Sequence, residues 1–208
     1  MKLLITLIDA GTMEEALVKI TCDFKNVIRF LCMRKLSLNV EKTKLMIIGD
    51  QGSDIENIQI DNNIIERVAN IKYLGVIIDD NLQFKMNIEN VAKKMSQKVG
   101  FLNRNCKKLT SDTRLTLYKC LIGPHLDYCS SILFLNNETD VRILQRIQNR
   151  ALRIITRSER LAHIADMLNT TKLMSVKQRI YYNVLILVFR ATKGLLPEYL
   201  NVNIQNVG

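Results

Sequence analysis

The feature that most constrains this chain is a change of hydrophobic period near Asn81. Before that point short apolar runs alternate with turn signals, and after it apolar residues recur at steps of three and four almost to the end. A period near two builds strands and a period near 3.6 builds helices. The expected fold class is therefore α+β, a small sheet with one packed helix followed by a mainly α-helical region. With 208 residues and 48% hydrophobic content, the chain can bury one large core or two small ones.

In the first part, residues 3–8 form a candidate strand. Thr12 and Glu15 make a T-x-x-E capping box that opens a helix carrying Leu17, Ile20, Phe24, Val27 and Leu31 at helical spacing. Further strands are expected over 43–48 and 71–78, with a hairpin between them from 58–60 and 64–65 that turns at Asp61, Asn62 and Asn63. In the second part, Ile88, Val91, Met95, Val99 and Leu102 mark one helix, and another starts near Asp112 and should break at Gly123 and Pro124. A third spans 138–157 and a fourth runs from about 174 to 193, closed by Gly194 and Pro197.

Charge divides at nearly the same place as the period. Residues 1–84 hold 10 Lys and Arg against 12 Asp and Glu, whereas residues 85–208 hold 20 against 8. A positive field confined to the helical part is the footprint of a module that holds a polyanion, most simply nucleic acid. The third helix concentrates it. Arg142, Arg146, Arg150, Arg153 and Arg157 step by four, four, three and four and so share one narrow face, with Leu144, Ile147, Ala151, Ile154 and Ile155 on another. Five like charges on one face repel unless an anion is near, and guanidinium suits bidentate phosphate contact. Lys94, Lys98 and Lys108 make the first helix of this part basic as well. Aromatic residues are sparse there, which argues for backbone contact over base stacking. A solvated surface, or an acidic protein partner, is the competing reading of the same stripe.

Two strings in fixed order, SLNVEKTK over 37–44 and IKYLGVIIDD over 71–80, resemble the end of the palm of a non-LTR retrotransposon reverse transcriptase. The likeness continues through LYKCLIGPHLDYCSSIL, LQRIQNRALRIITRSER and SVKQRIYYNVLILVFRATKGLLPEYL. It implies a partial palm with the primer-grip hairpin over 1–84, thumb-like basic helices over 85–122 and a C-terminal helical region over 123–208. By the same resemblance, Lys42 corresponds to a palm lysine that protonates departing pyrophosphate, and Tyr73, Leu74 and Gly75 to the primer grip. Lys94, Lys98, Lys108 and the five arginines would then hold RNA, an RNA–DNA hybrid or duplex DNA by its backbone. Asn87 departs from the family, which commonly has histidine at the start of the thumb helix.

The opening MKLLITLIDAGTMEEAL reads like the stretch that follows the family's Tyr-x-Asp-Asp turn, so the catalytic carboxylates are expected to be missing and the chain inactive. The intact family uses Mg²⁺; this chain is expected to hold no cofactor and no metal. Asp79 and Asp80 belong to the primer-grip string and are poor substitutes for a metal pair. Residues 3–8, without the hairpin strand they would pair with, are expected to offer an open edge for self-association. Five cysteines without a C-x-x-C pair read as buried, reduced thiols of an intracellular protein, with no membrane partner. His125, between Cys120 and Cys129, fits no zinc spacing.

Overall fold

The computed structural model describes residues 8–49, 57–60, 63–135 and 137–197. All but Ile8 of the strand expected over 3–8, and with it the open edge proposed for self-association, lies outside the described residues. The chain divides into two compact units: residues 1–71 with 79–81, and residues 72–78 with 82–208.

The first unit is α+β, as the period indicates. Helix α1 spans Met13–Met33 and is capped as expected: Thr12 accepts the Glu15 amide at 3.3 Å, and the Glu15 carboxylate accepts the Gly11 amide at 3.3 Å. A 3-10 turn, Val40–Lys42, leads into β1, which is only Lys44–Leu45 and much shorter than the strand expected over 43–48. β2 (Asn57–Ile60) and β3 (Asn63–Arg67) pair antiparallel, with Ile58 opposite Ile65, and β1 joins β3 in parallel to give the order β1-β3-β2. Leu45, Ile60 and Ile65 are buried, whereas α1 has no buried residue.

The strand expected over 71–78 is instead a hairpin of β4 (Asn70–Tyr73) and β5 (Val76–Asp79). Leu74 and Gly75 reverse the chain between them with φ of 46° and 92°. Two consecutive residues in the left-handed region define the tight turn whose twist suits a hairpin, and glycine takes the second place without strain. The hydrophobic pattern of 71–78 reads straight on through Gly75 and conceals this turn. The Asp80 amide donates to Ala69 O at 2.9 Å and closes the base of the hairpin.

The second unit is helical, with α2 (Lys85–Asn105), α3 (Ser111–Leu121), α4 (Gly123–Asp127), α5 (Ser130–Phe134), α6 (Glu138–Thr156), α7 (Ile164–Thr171) and α8 (Val176–Thr192). α3 ends at Leu121, just before Gly123 and Pro124 as expected, and Pro124 then lies in the first turn of α4, where its missing amide is not needed. A capping box starts α8: Ser175 accepts the Gln178 amide, and the Gln178 side chain accepts the Ser175 amide. Ile88, Met95, Val99, Leu126, Leu144, Ala151 and Val176 form a continuous core with Tyr118 and Ile155. One polar side chain crosses it. Gln148 is fully buried, donating to the Tyr118 hydroxyl at 2.9 Å and to Met174 O at 2.8 Å, and accepting from Gln145 at 2.9 Å. The cysteines are free thiols, but against expectation Cys22, Cys32, Cys120 and Cys129 are exposed and Cys106 is half-buried. No helix among the described residues is long and apolar enough to cross a membrane.

Candidate nucleic-acid interface

α6 sets the geometry of the stripe. Its buried side chains, Leu144, Gln148, Ala151, Leu152 and Ile155, occupy one side of the helix. At 100° per residue the arginines fall roughly opposite. Arg142, Arg146, Arg150 and Arg157 are exposed, and Arg153 is half-buried. Arg142 is not free, because Glu138 accepts from it at 3.4 Å and from Lys177 at 3.0 Å. Arg146 and Arg150 have no carboxylate partner among the described residues.

The structure gathers only some of the expected cations. Lys108, in the 3-10 turn Cys106–Lys108, lines a recess that it shares with Arg157, and Arg153 and Arg157 line an adjoining one. Lys94 and Lys98 belong elsewhere: they lie close enough to His125 of α4 that, after burial itself, their charges hold its pKa below the usual histidine value. The predicted basic surface is thus two patches in the second unit, one around α6 and the end of α2, the other along α2 beside α4.

Sequence reasoning missed the residue that ties these elements together. Arg114 is 2% exposed and donates to Ile154 O at 2.6 Å, to Thr110 O at 3.2 Å and to Ser111 Oγ at 3.0 Å, while Ser111 donates to Ile155 O at 3.1 Å. With Arg157 and Ser158 amides on Arg153 O, the last carbonyls of α6 gain donors they cannot find within the helix. A guanidinium at the negative end of a helix is favourable in its own right. The available signal was position: Arg114 stands one turn before Tyr118 on the buried face of α3, where an apolar residue is the norm.

The primer-grip candidates form the hairpin tip. Tyr73 is half-buried, Leu74 is exposed, and Gly75 lies under the ring of Tyr128, whose hydroxyl donates to Leu74 O. Asn87 is buried and accepts the Ile77 amide at 3.1 Å, so it fastens β5 to α2. Neither Tyr128 nor Asn87 was singled out for this role. In the first unit, Lys42 is exposed, its amide donating to Asn39 Oδ1 at 3.0 Å, while Lys44 pairs with Glu66. Among the described residues no three His, Cys, Asp or Glu side chains converge on a point where a metal ion could sit. Asp80 accepts from Asn81 at 2.9 Å and belongs to the hairpin base.

Comparison with known proteins agrees with the strings read above. The chain is 32% identical over 91 residues to a probable RNA-directed DNA polymerase from the transposon X-element of Drosophila melanogaster. It is 25% identical over 126 residues to the RNA-directed DNA polymerase of the mobile element jockey from Drosophila funebris. The chain is similar to reverse transcriptases of mobile elements. A second jockey polymerase, from Drosophila melanogaster, matches at 23% identity over 124 residues. These alignments take in 42%, 58% and 57% of this chain but 10%, 14% and 13% of the reverse transcriptases, so each relative is far longer than the matched stretch. No family model and no solved structure matches.

Proposed function

We propose that these 208 residues are the part of a mobile-element reverse transcriptase that grips the nucleic acid by its backbone, and that alone they do not polymerise. The exposed arginine face of α6, opposite its buried face and with Arg146 and Arg150 unmatched by carboxylates among the described residues, carries the reading. In this assignment residues 1–84 are a partial palm, 85–122 the thumb and 123–208 a C-terminal helical region. Tyr73, Leu74 and Gly75 are the primer grip, and Lys42 is the counterpart of the palm's proton donor. The ligand is an RNA–DNA hybrid or duplex, bound with little regard to sequence.

Fluorescence anisotropy with an RNA–DNA hybrid tests this. Reversing Arg146, Arg150 and Arg153 to Glu should weaken binding by at least about tenfold and flatten the salt slope by about one log unit for each phosphate contact removed. Unchanged affinity in a folded triple variant refutes the stripe. Primer extension with Mg²⁺ or Mn²⁺ should give no product; extension that survives Asp79→Ala and Asp80→Ala refutes the inactivity.

A second reading, a protein-interaction module, is favoured by one observation. Leu185, Leu187, Val188 and Phe189 on α8 are 43–62% exposed, an apolar surface of the kind that meets other proteins. Binding that persists at high salt would select it.

A further inference from the structure

The recess at the end of α6 goes beyond a surface stripe. It has a volume of about 520 Å³ and is open to solvent on one side, with Lys107, Arg114, Arg153 and Arg157 in its wall. A second recess of about 430 Å³ adjoins it across Lys107, Arg114 and Arg157, and adds Lys108 and the start of α3 at Thr110 and Ser111. No carboxylate lines either one. The charge of Arg114 is already used on the carbonyl end of α6, so four cations remain for whatever enters. One of them is poised in an unusual way: Nε of Arg153 is buried and has no hydrogen-bond acceptor among the described residues. A buried guanidinium N–H without a partner is costly, and a rotation of Arg153 that brings it to the recess wall lets an anionic oxygen relieve that cost.

We infer that this double recess is a seat for one phosphodiester group of the bound strand, held by Arg153 Nε, Arg157, Lys107 and Lys108. Arginine offers a planar fork matched to phosphate oxygens, and the two lysines add mobile ammonium donors. The start of α3 turns its positive end to the same place. The inference rests on the backbone-binding reading and deepens it. Arg146 and Arg150 attract any polyanion, whereas the recess takes one phosphate out of the line and fixes where the strand ends its contact with α6. The same phosphate chemistry is available from free inorganic phosphate, and the test separates the two.

The experiment follows arginine side-chain Nε–H and backbone amide resonances of the full chain, at constant ionic strength, first with inorganic phosphate and then with a short RNA–DNA hybrid. Phosphate should shift Arg153 Nε–H and the Ser111 amide saturably and leave Arg146 and Arg150 unmoved. The Lys107→Gln, Arg157→Gln double variant, checked for fold by circular dichroism, should lose that response. The hybrid should shift the same two signals together with Arg146 and Arg150, and the double variant should bind it about tenfold more weakly. Equal small shifts of every arginine with phosphate would overturn the seat, leaving only general screening. A hybrid that moves Arg146 and Arg150 but not Arg153 would overturn it while keeping the stripe. A hybrid that moves none would overturn the backbone-binding reading itself, and a phosphate response surviving that result would make the recess a site for free phosphate and so overturn the phosphodiester assignment.

Discussion

The first unit closes a three-stranded sheet over Leu45, Ile60 and Ile65 and leaves α1 without one buried side chain; the second threads a core through helices α2 to α6 and α8. The difference is one of how much apolar surface each sequence finds to cover. α1 has the pattern of an amphipathic helix, yet Leu17, Ile20, Phe24, Val27 and Leu31 are only half-buried, and Val18, Phe30 and Met33 are 52–76% exposed. In the second unit Met95, Val99, Tyr118, Leu126, Leu144 and Ala151 are completely covered. Since stability follows apolar area removed from water, the second unit should hold most of it and the first should be marginal. The basic face sits on the unit rigid enough to present it.

The sharpest way to break this comparison is at Arg114. Arg114→Ala leaves Ile154 O without its donor and opens a cavity beside it, and should cost about 4 kcal/mol in chemical denaturation monitored on the second unit. A loss below about 1 kcal/mol would mean that water caps α6 equally well. Next comes a matched pair: Met95→Ala should cost about 3 kcal/mol, and Leu17→Ala, on the half-buried face of α1, under about 1 kcal/mol. Equal losses would show that α1 is covered as tightly as α2.

Gln148→Leu sharpens the picture inside the second core. It preserves volume but strips Tyr118 and Met174 O of a donor, and should cost about 2 kcal/mol, with part of it recovered in a double variant with Tyr118→Phe. The smallest effect concerns Asp127. Its hydrogen bonds from Arg179 hold the carboxyl below its usual value of 3.8, so the pair stabilises the second unit at neutral pH and that contribution disappears as pH falls from 3.8 through the lower folded value. Both side chains are partly exposed, so the gap between wild type and Asp127→Asn should be about 1 kcal/mol at pH 7 and close in acid. A gap that persists at pH 2 would assign the effect to packing.

Much of this was legible because period and capping are local signals. α1 with its Thr12 cap, α6 from Glu138, and α8 stand within two residues of where helical spacing put them. What escaped was set by tertiary partners. The turn at Leu74 and Gly75 falls where the hydrophobic pattern reads straight on from Ile71 to Ile78, and Tyr128 and Asn87, 54 and 10 residues from the backbone groups they bind, help to hold it. α7 and the short α5 carry too few turns for a period to show. At the candidate interface, the arginine register followed from counting residues, but which cations converge did not. Lys108 joins Arg153 and Arg157 because Arg114 anchors the start of α3 to the end of α6, whereas Lys94 and Lys98 face a different helix.

The buried Tyr118 has a further, optical consequence. The chain contains no tryptophan and six tyrosines, so tyrosine dominates its near-ultraviolet absorbance and is the one aromatic side chain that ionises. Among them Tyr118 is fully covered in the second core, and burial raises its phenol above the usual 10.0 despite the bond from Gln148. Its tyrosinate absorbance therefore appears late in an alkaline titration, when the helices around Gln148 come apart. That delayed rise lets an ordinary spectrophotometer record the opening of the second unit's core.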